Sequence, residues 1–276
     1  MPERRTIIRV ILYAAYFLAA FLVFLLLLFP FDRVKTKIEA EVRSRTPLEL
    51  TIARISPRFF NRFVLSDVVL ADRSGTVLFE SPTVYTTLPF LSLLRGMPAV
   101  SLQGRAYGGE LSVKVRQEAG NNAISADLNN LDVAAYPLLK ATGLKIAGKL
   151  GGTFELSGDA GRARLWLKSV TTRELRIKGF PVPDLDFEQC WIEADIKGDR
   201  LTIKKLELNG KELTFKASGD LVMQARGTLN LVLKFKPSER LIHEQAGILS
   251  LLKVRDAEGY YQFTLGGTLS EPLPRL

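Results

Sequence analysis

Residues 201–235 read LTIKKLELNGKELTFKASGDLVMQARGTLNLVLKF. Apolar side chains recur at every second position: Leu201 and Ile203, Leu206 and Leu208, Leu213, Phe215 and Ala217, then Leu229, Leu231, Leu233 and Phe235. A period of two sends successive side chains to opposite faces of a strand, so each run is a strand with one apolar and one polar face. Asn209-Gly210, between Leu-Glu-Leu and Leu-Thr-Phe, reads as a two-residue hairpin turn.

The same alternation extends in both directions. It holds at Leu111, Val113 and Val115, at Ile124, Ala126 and Leu128, at Leu165 and Leu167, and at Leu175 and Ile177. It returns at Ile192, Ala194 and Ile196, and it closes at Tyr261, Phe263 and Leu265. Gly108-Gly109, Asn121-Asn122, Gly151-Gly152, Gly158, Gly198-Asp199, Gly219-Asp220 and Gly266-Gly267 read as turns between these runs. Strands at intervals of about 8–12 residues make a mainly β fold, a long antiparallel meander and not a βαβ array. Short helices are expected at Leu88–Arg95, Tyr136–Thr142 and Ser238–Lys253.

A sheet with one apolar face must hide it. It can close into a barrel, pair with a second sheet as a sandwich, or curl into a trough. Alternation does not separate the three. In a trough the apolar face becomes a groove, for which the expected lining is Leu201, Ile203, Leu213, Phe215, Leu229, Leu231, Leu233, Phe235, Phe263 and Leu265.

Before the meander, Ile11 to Phe31 contains no charged residue, and 21 residues suffice for a helix across a hydrocarbon core of about 30 Å. The run is longer than a cleaved signal's apolar core and lacks a small-residue cleavage site after it, so it reads as an uncleaved anchor. Arg4, Arg5 and Arg9 precede it; Arg33, Lys35, Lys37, Arg43 and Arg45 follow. Lysine and arginine counts alone do not place the N-terminus inside, but a ten-residue tail and a large following domain do favour that orientation. Phe31, Val34, Ile38 and Val42 then share one face of a short amphipathic helix that Pro47 ends. The expected organisation is a cytoplasmic tail over 1–10, an anchor over 11–31, a linker helix over 32–46 and a β-rich domain over 47–276.

The net charge is +9, but basic and acidic residues alternate along the strands and do not cluster, which argues against nucleic acid as a partner. Arg33, Lys35 and Lys37 instead suit weak attraction to anionic headgroups at the membrane. One cysteine, Cys190, and one histidine, His243, exclude intramolecular disulfides, zinc clusters and multi-histidine metal sites. Position 247 is glycine, so His243-Glu244 does not open a zinc-binding HExxH helix. The glycine-rich stretch Gly104 to Gly109 lacks the Lys-Ser/Thr ending of a phosphate loop. Asp184, Asp186 and Glu188 lie on one polar face with nothing converging on them, and Trp166 and Trp191 read as packing residues. No catalytic residue, metal or cofactor is expected, and the chain does not read as an enzyme.

The order of features resembles the type II secretion system protein N (GspN) family, within the AsmA-like envelope proteins. The resemblance is carried by the anchor and helix, by Leu65 to Leu70, by Gly75-Thr76-Val77-Leu78, by Leu91 to Leu94, and by Val100 to Gly104. The central stretch LNNLDVAAYPLLKATGLKIAGKLGGTFELSG and the closing GYYQFTLGGTLSEPLPRL complete it. The resemblance implies a bacterial inner-membrane protein with its β domain in the periplasm. It implies a non-catalytic component of type II secretion, with other envelope secretion proteins as partners. The AsmA-like side of the resemblance implies the alternative, a module that binds or transfers phospholipid in an apolar β-groove.

Overall fold

The computed structural model describes residues 12–13, 16–17, 20–21, 24, 28–59, 61–87, 99–118, 121–142, 145–174, 176–177, 180–181, 184–222, 227–244, 255–268 and 272–275. Helix α1 spans Phe31–Arg45. It is followed by β1 (Leu48–Phe59), β2 (Arg62–Asp72), β3 (Val77–Thr87), β4 (Ala99–Ala106), β5 (Gly109–Glu118) and β6 (Asn121–Asp132). A 3₁₀ turn at Val133–Ala135 and helix α2 (Pro137–Thr142) lead to β7 (Lys145–Ser157) and β8 (Ala160–Arg173). After β9 (Arg176–Ile177) and β10 (Phe180–Pro181) come β11 (Leu185–Lys197), β12 (Arg200–Gly210), β13 (Leu213–Val222) and β14 (Thr228–Pro237). Helix α3 (Glu239–Glu244), β15 (Tyr261–Gly267) and β16 (Pro272–Arg275) complete the order.

Fourteen strands form one antiparallel sheet in which every strand pairs with its neighbour in sequence, except that β8 pairs with β11 across the small β9–β10 ribbon. β1 and β16 are the two edges and do not pair, so the sheet is curved and unclosed. No second large sheet faces it among the described residues. The expected mainly β meander is therefore present, and the barrel and the sandwich are not.

Each edge is blunted. Glu39 Oε1 accepts the Ile52 amide at 2.9 Å, so α1 covers part of β1. Pro272 and Pro274, which cannot donate to a further strand, stand in β16. The densest core lies mid-sheet, where Val170, Leu185, Phe187 and Cys190 are buried against Ile146, Leu167, Ile192, Leu208 and Leu213. Burial pushes the Cys190 thiol pKa up.

Several sequence expectations need correction. Asn209 and Gly210 are not the hairpin turn: both belong to β12, and the connection to β13 centres on Lys211 and Glu212. Gly210 is instead a point of close approach, where a Cβ would sit 2.4 Å from the Asp186 carbonyl oxygen. Gly151-Gly152, Gly219-Asp220 and Gly266-Gly267 lie inside β7, β13 and β15. The reason at Gly151 is the Trp166 ring, which occupies the space a Cβ would need, 2.1 Å away. Ile177 belongs to the β9–β10 ribbon and not to the main sheet. The helix expected at 88–95 lies outside the described residues. Only Pro137–Thr142 and Glu239–Glu244 of the other two expected helices are helical among the described residues.

Among the described residues no helix is long and apolar enough to cross a membrane. The expected transmembrane helix over 11–31 is thus not supported by the described fold; residues 11, 14–15, 18–19, 22–23 and 25–27 of that segment lie outside the described residues. Its described members Leu12, Tyr13, Tyr16, Phe17, Phe21, Phe24 and Leu28 are helical and exposed.

On the polar face, charges pair across strands. Asp195 meets Lys204 at 2.5 Å and Arg162 at 3.2 Å, and Asp132 meets Lys149 at 3.0 Å. These cations hold both carboxyls below their usual range. The Ser74 hydroxyl does the same for Asp72, and the Tyr260 amide does it for Asp256. A carboxyl whose pKa is lower folded than unfolded contributes stability above the unfolded value and loses it as pH falls through the folded one. The melting temperature should therefore stay flat above about pH 5 and fall below about pH 4, where unfolded carboxylates titrate. A loss already between pH 8 and 6 in a thermal melt series would contradict this.

Candidate functional site

Residues directly opposite each other in an antiparallel ladder share a face. The pairing therefore traces one row across the whole sheet: Pro57, Phe63, Thr86, Leu102, Val113, Ala126, Phe154, Ala163, Ala194, Ile203, Gly219, Leu231, Leu265 and Pro274. Each of the fourteen strands contributes one member, and only Thr86 is polar. With strands about 4.8 Å apart, thirteen steps carry this apolar face over about 60 Å.

All ten residues expected to line a groove are on this face. Leu229 follows from Leu201 through Leu221, and Leu231 and Leu265 follow from Ile203 through Gly219. Phe235 opposes Phe215, Phe263 opposes Leu233, and Leu213 opposes Pro237 at the end of the face. Among the ten only Leu229 is buried; Leu201, Ile203, Leu213, Phe215, Leu231, Leu233, Phe235, Phe263 and Leu265 are half-buried. That is the signature of a trough with water on its open side and not of a closed core.

The apolar face is also concave elsewhere, at the N-terminal end. There a concavity of about 630 Å³ runs beneath α1, with Ile52, Leu65, Val68, Val84 and Leu102 along its floor and Phe31, Val34 and Ile38 along the helix wall. Thr86 is its one polar lining side chain. Sequence reasoning assigned the groove to strands after residue 200 and missed this region. The signal was broken: inward positions run Leu50, Ile52, then Ile55 in β1; Phe63, Leu65, then Val68 in β2; and Phe79, Ser81, then Val84 in β3. Ala53, Asp67 and Pro82 interrupt the pairing side by side, each shifting the count by one. Asp67 takes φ +48 at this step. A strict period of two fails across such an irregularity. Ser81 is 1% exposed, and its hydroxyl donates to the Arg105 and Thr83 carbonyls at 2.9 and 3.1 Å, so the groove holds no orphaned polar group there.

Among the described residues, the remaining polar side chains assemble no reactive centre. Arg173 pairs with both Asp184 and Asp186 at the end of β8. His243 is exposed at the end of α3. Trp191 opposes Trp166 on the polar face and is 45% exposed, so the pair is neither core nor groove. No group of three or more potential metal ligands occurs among the described residues.

No family model matches the chain, and no curated protein or solved structure is significantly similar to it. The resemblance to GspN and the AsmA-like proteins rests on the sequence motifs alone. What the arrangement can do is physical: it offers a long, one-sided apolar surface to something apolar.

Proposed function

We propose that this chain is a membrane-anchored, non-catalytic protein whose trough takes up the acyl chains of phospholipid. The observation that supports it is the row of one residue from each strand, apolar at every position but Thr86 and open along its length. An exposed apolar strip of this extent is a binding surface or a liability. Each methylene moved out of water contributes about 0.8 kcal/mol, so ten contribute about 8 kcal/mol, comparable with the cost of association. The face is about four times the depth of one leaflet, taken as half of a hydrocarbon core of about 30 Å. It suits several chains, or one chain at successive positions.

The exposed apolar helix residues between Leu12 and Leu28 support an anchor over 11–31, and Phe29 and Phe31 at its end line the groove. The inner-membrane location, the periplasmic placement and a component's role in type II secretion rest on the resemblance. A scaffold would use the same face for an envelope secretion protein, and the experiment separates the two.

A photo-crosslinking amino acid placed at Leu102 and at Leu231 of the full chain in cells is expected to capture phospholipid. The same group at Lys114, on the polar face of β5, is expected to capture none. Protein adducts at both inward positions would replace the lipid reading with the scaffold one. The absence of any adduct at either would contradict an open, occupied trough.

A further inference from the structure

α1 and β1 run antiparallel, and a series of contacts tracks their approach. Arg43 pairs with Glu49 at 3.4 Å, and Glu39 accepts the Ile52 amide at 2.9 Å. Lys35 Nζ donates to the Ala53 carbonyl at 3.4 Å. At the start of the helix, the Phe31 ring lies 6.0 Å from that of Phe63, which pairs with Pro57. A helix rises about 1.5 Å per residue and a strand about 3.3 Å. The β1–β2 hairpin therefore carries Arg58 and Arg62 past Phe31, to the level of Phe29, where the apolar segment ends.

This tip is cationic. Arg54, Arg58 and Arg62 are exposed, and no carboxylate among the described residues pairs with any of them. Arg58 sits over the Tyr85 ring at 5.4 Å, on the polar face of the sheet. Arg33 and Lys37 add two exposed charges from α1. Of the neighbouring acids, Glu39 is engaged by the Ile52 amide, Glu41 by Arg45 and Glu49 by Arg43, while Asp32 and the exposed Asp67, beside the Ser66 that opposes Arg54, offset part of the charge.

We propose that the β1–β2 hairpin tip seats on the anionic headgroups of the bilayer that holds the apolar segment, as a second attachment beside the anchor. The inference rests on the membrane reading above. It adds an orientation: one attachment leaves a domain free to swing, while two hold the Phe29–Phe31–Phe63 end of the groove against the lipid surface.

The test uses the full chain in nanodiscs of zwitterionic phospholipid, with and without anionic phospholipid, read by amide hydrogen exchange over residues 55–65. Each arginine near an anionic surface shifts the seating equilibrium roughly fivefold, so Arg58 and Arg62 at the tip shift it by roughly twenty-five-fold, with a smaller addition from Arg54 farther back. Exchange at the tip is expected to slow on anionic discs only. It should return to the zwitterionic rate in 1 M salt, where the screening length falls to about 3 Å. The triple variant Arg54→Gln, Arg58→Gln, Arg62→Gln should exchange alike on both discs while melting at the parental temperature. Equal exchange of the parental chain on the two discs, or a variant that retains the difference, overturns the seating and leaves the anchor standing. A chain that does not enter discs at all overturns the membrane reading and the seating with it.

Discussion

Replacing Ile52 by aspartate is expected to abolish the fold around α1 and the first strands. Ile52 is 1% exposed, the most enclosed large side chain of the trough together with the smaller Ser81. It opposes Val68 in β2 and lies on the floor of the groove beneath α1. A carboxylate there would have no cation within the groove, and desolvation of an unpaired charge is among the costliest of substitutions. Glu39, whose carboxylate already binds the Ile52 amide, would add repulsion of like sign. A loss of about 4 kcal/mol or more is expected, against about 1 kcal/mol for Ile52→Val, which removes one methyl. Urea denaturation of the two variants beside the parental chain checks this. An aspartate variant within 1 kcal/mol of the parent, on the order of an ordinary surface change, would show that α1 does not close over this position.

A comparably severe effect is expected from Gly152→Val. Gly152 lies inside β7 at φ +146, where L side chains are strained. A Cβ would meet the Arg164 carbonyl oxygen at 2.2 Å and Leu165 Cα at 2.8 Å. Both belong to the backbone of β8, the paired strand, and cannot swing aside as a side-chain tip can. Strain and overpacking each cost about 1–3 kcal/mol, so their sum is about 2–6 kcal/mol. Gly75→Ala makes the control. Gly75 has φ +84 in the β2–β3 turn with open space around it, so only the strain of about 1 kcal/mol remains. Similar denaturation midpoints for the two variants would mean that the β7–β8 register differs from the one described.

Much of this fold is legible in the residues, and the failures have specific causes. The inward set Leu229, Leu231, Leu233 and Phe235 could be read directly because β14 pairs with β13 without a register shift. β12 reads as two runs, Leu201–Ile203 and Leu206–Leu208, because the register shifts between Ile203 and Leu206. Glycines read as turns where they lie in strands, since a residue without a side chain looks the same whether it frees the backbone or makes room for Trp166. The first three strands hide their shared face behind adjacent irregularities at Ala53, Asp67 and Pro82.

Alternation by itself determined that this chain makes long antiparallel strands with one apolar face, and that Phe31, Val34 and Ile38 share the side of a helix. Those are local facts, fixed by the two-residue and 3.6-residue periods of the backbone. Only the tertiary structure decided that β1 and β16 stay apart, that α1 covers one edge, and that an apolar groove forms beneath it at the end where the apolar segment arrives. Closure and curvature depend on twist and register summed over fourteen strands, and on which element reaches the free edge first. No window of sequence contains those quantities, because they arise between residues far apart in the chain.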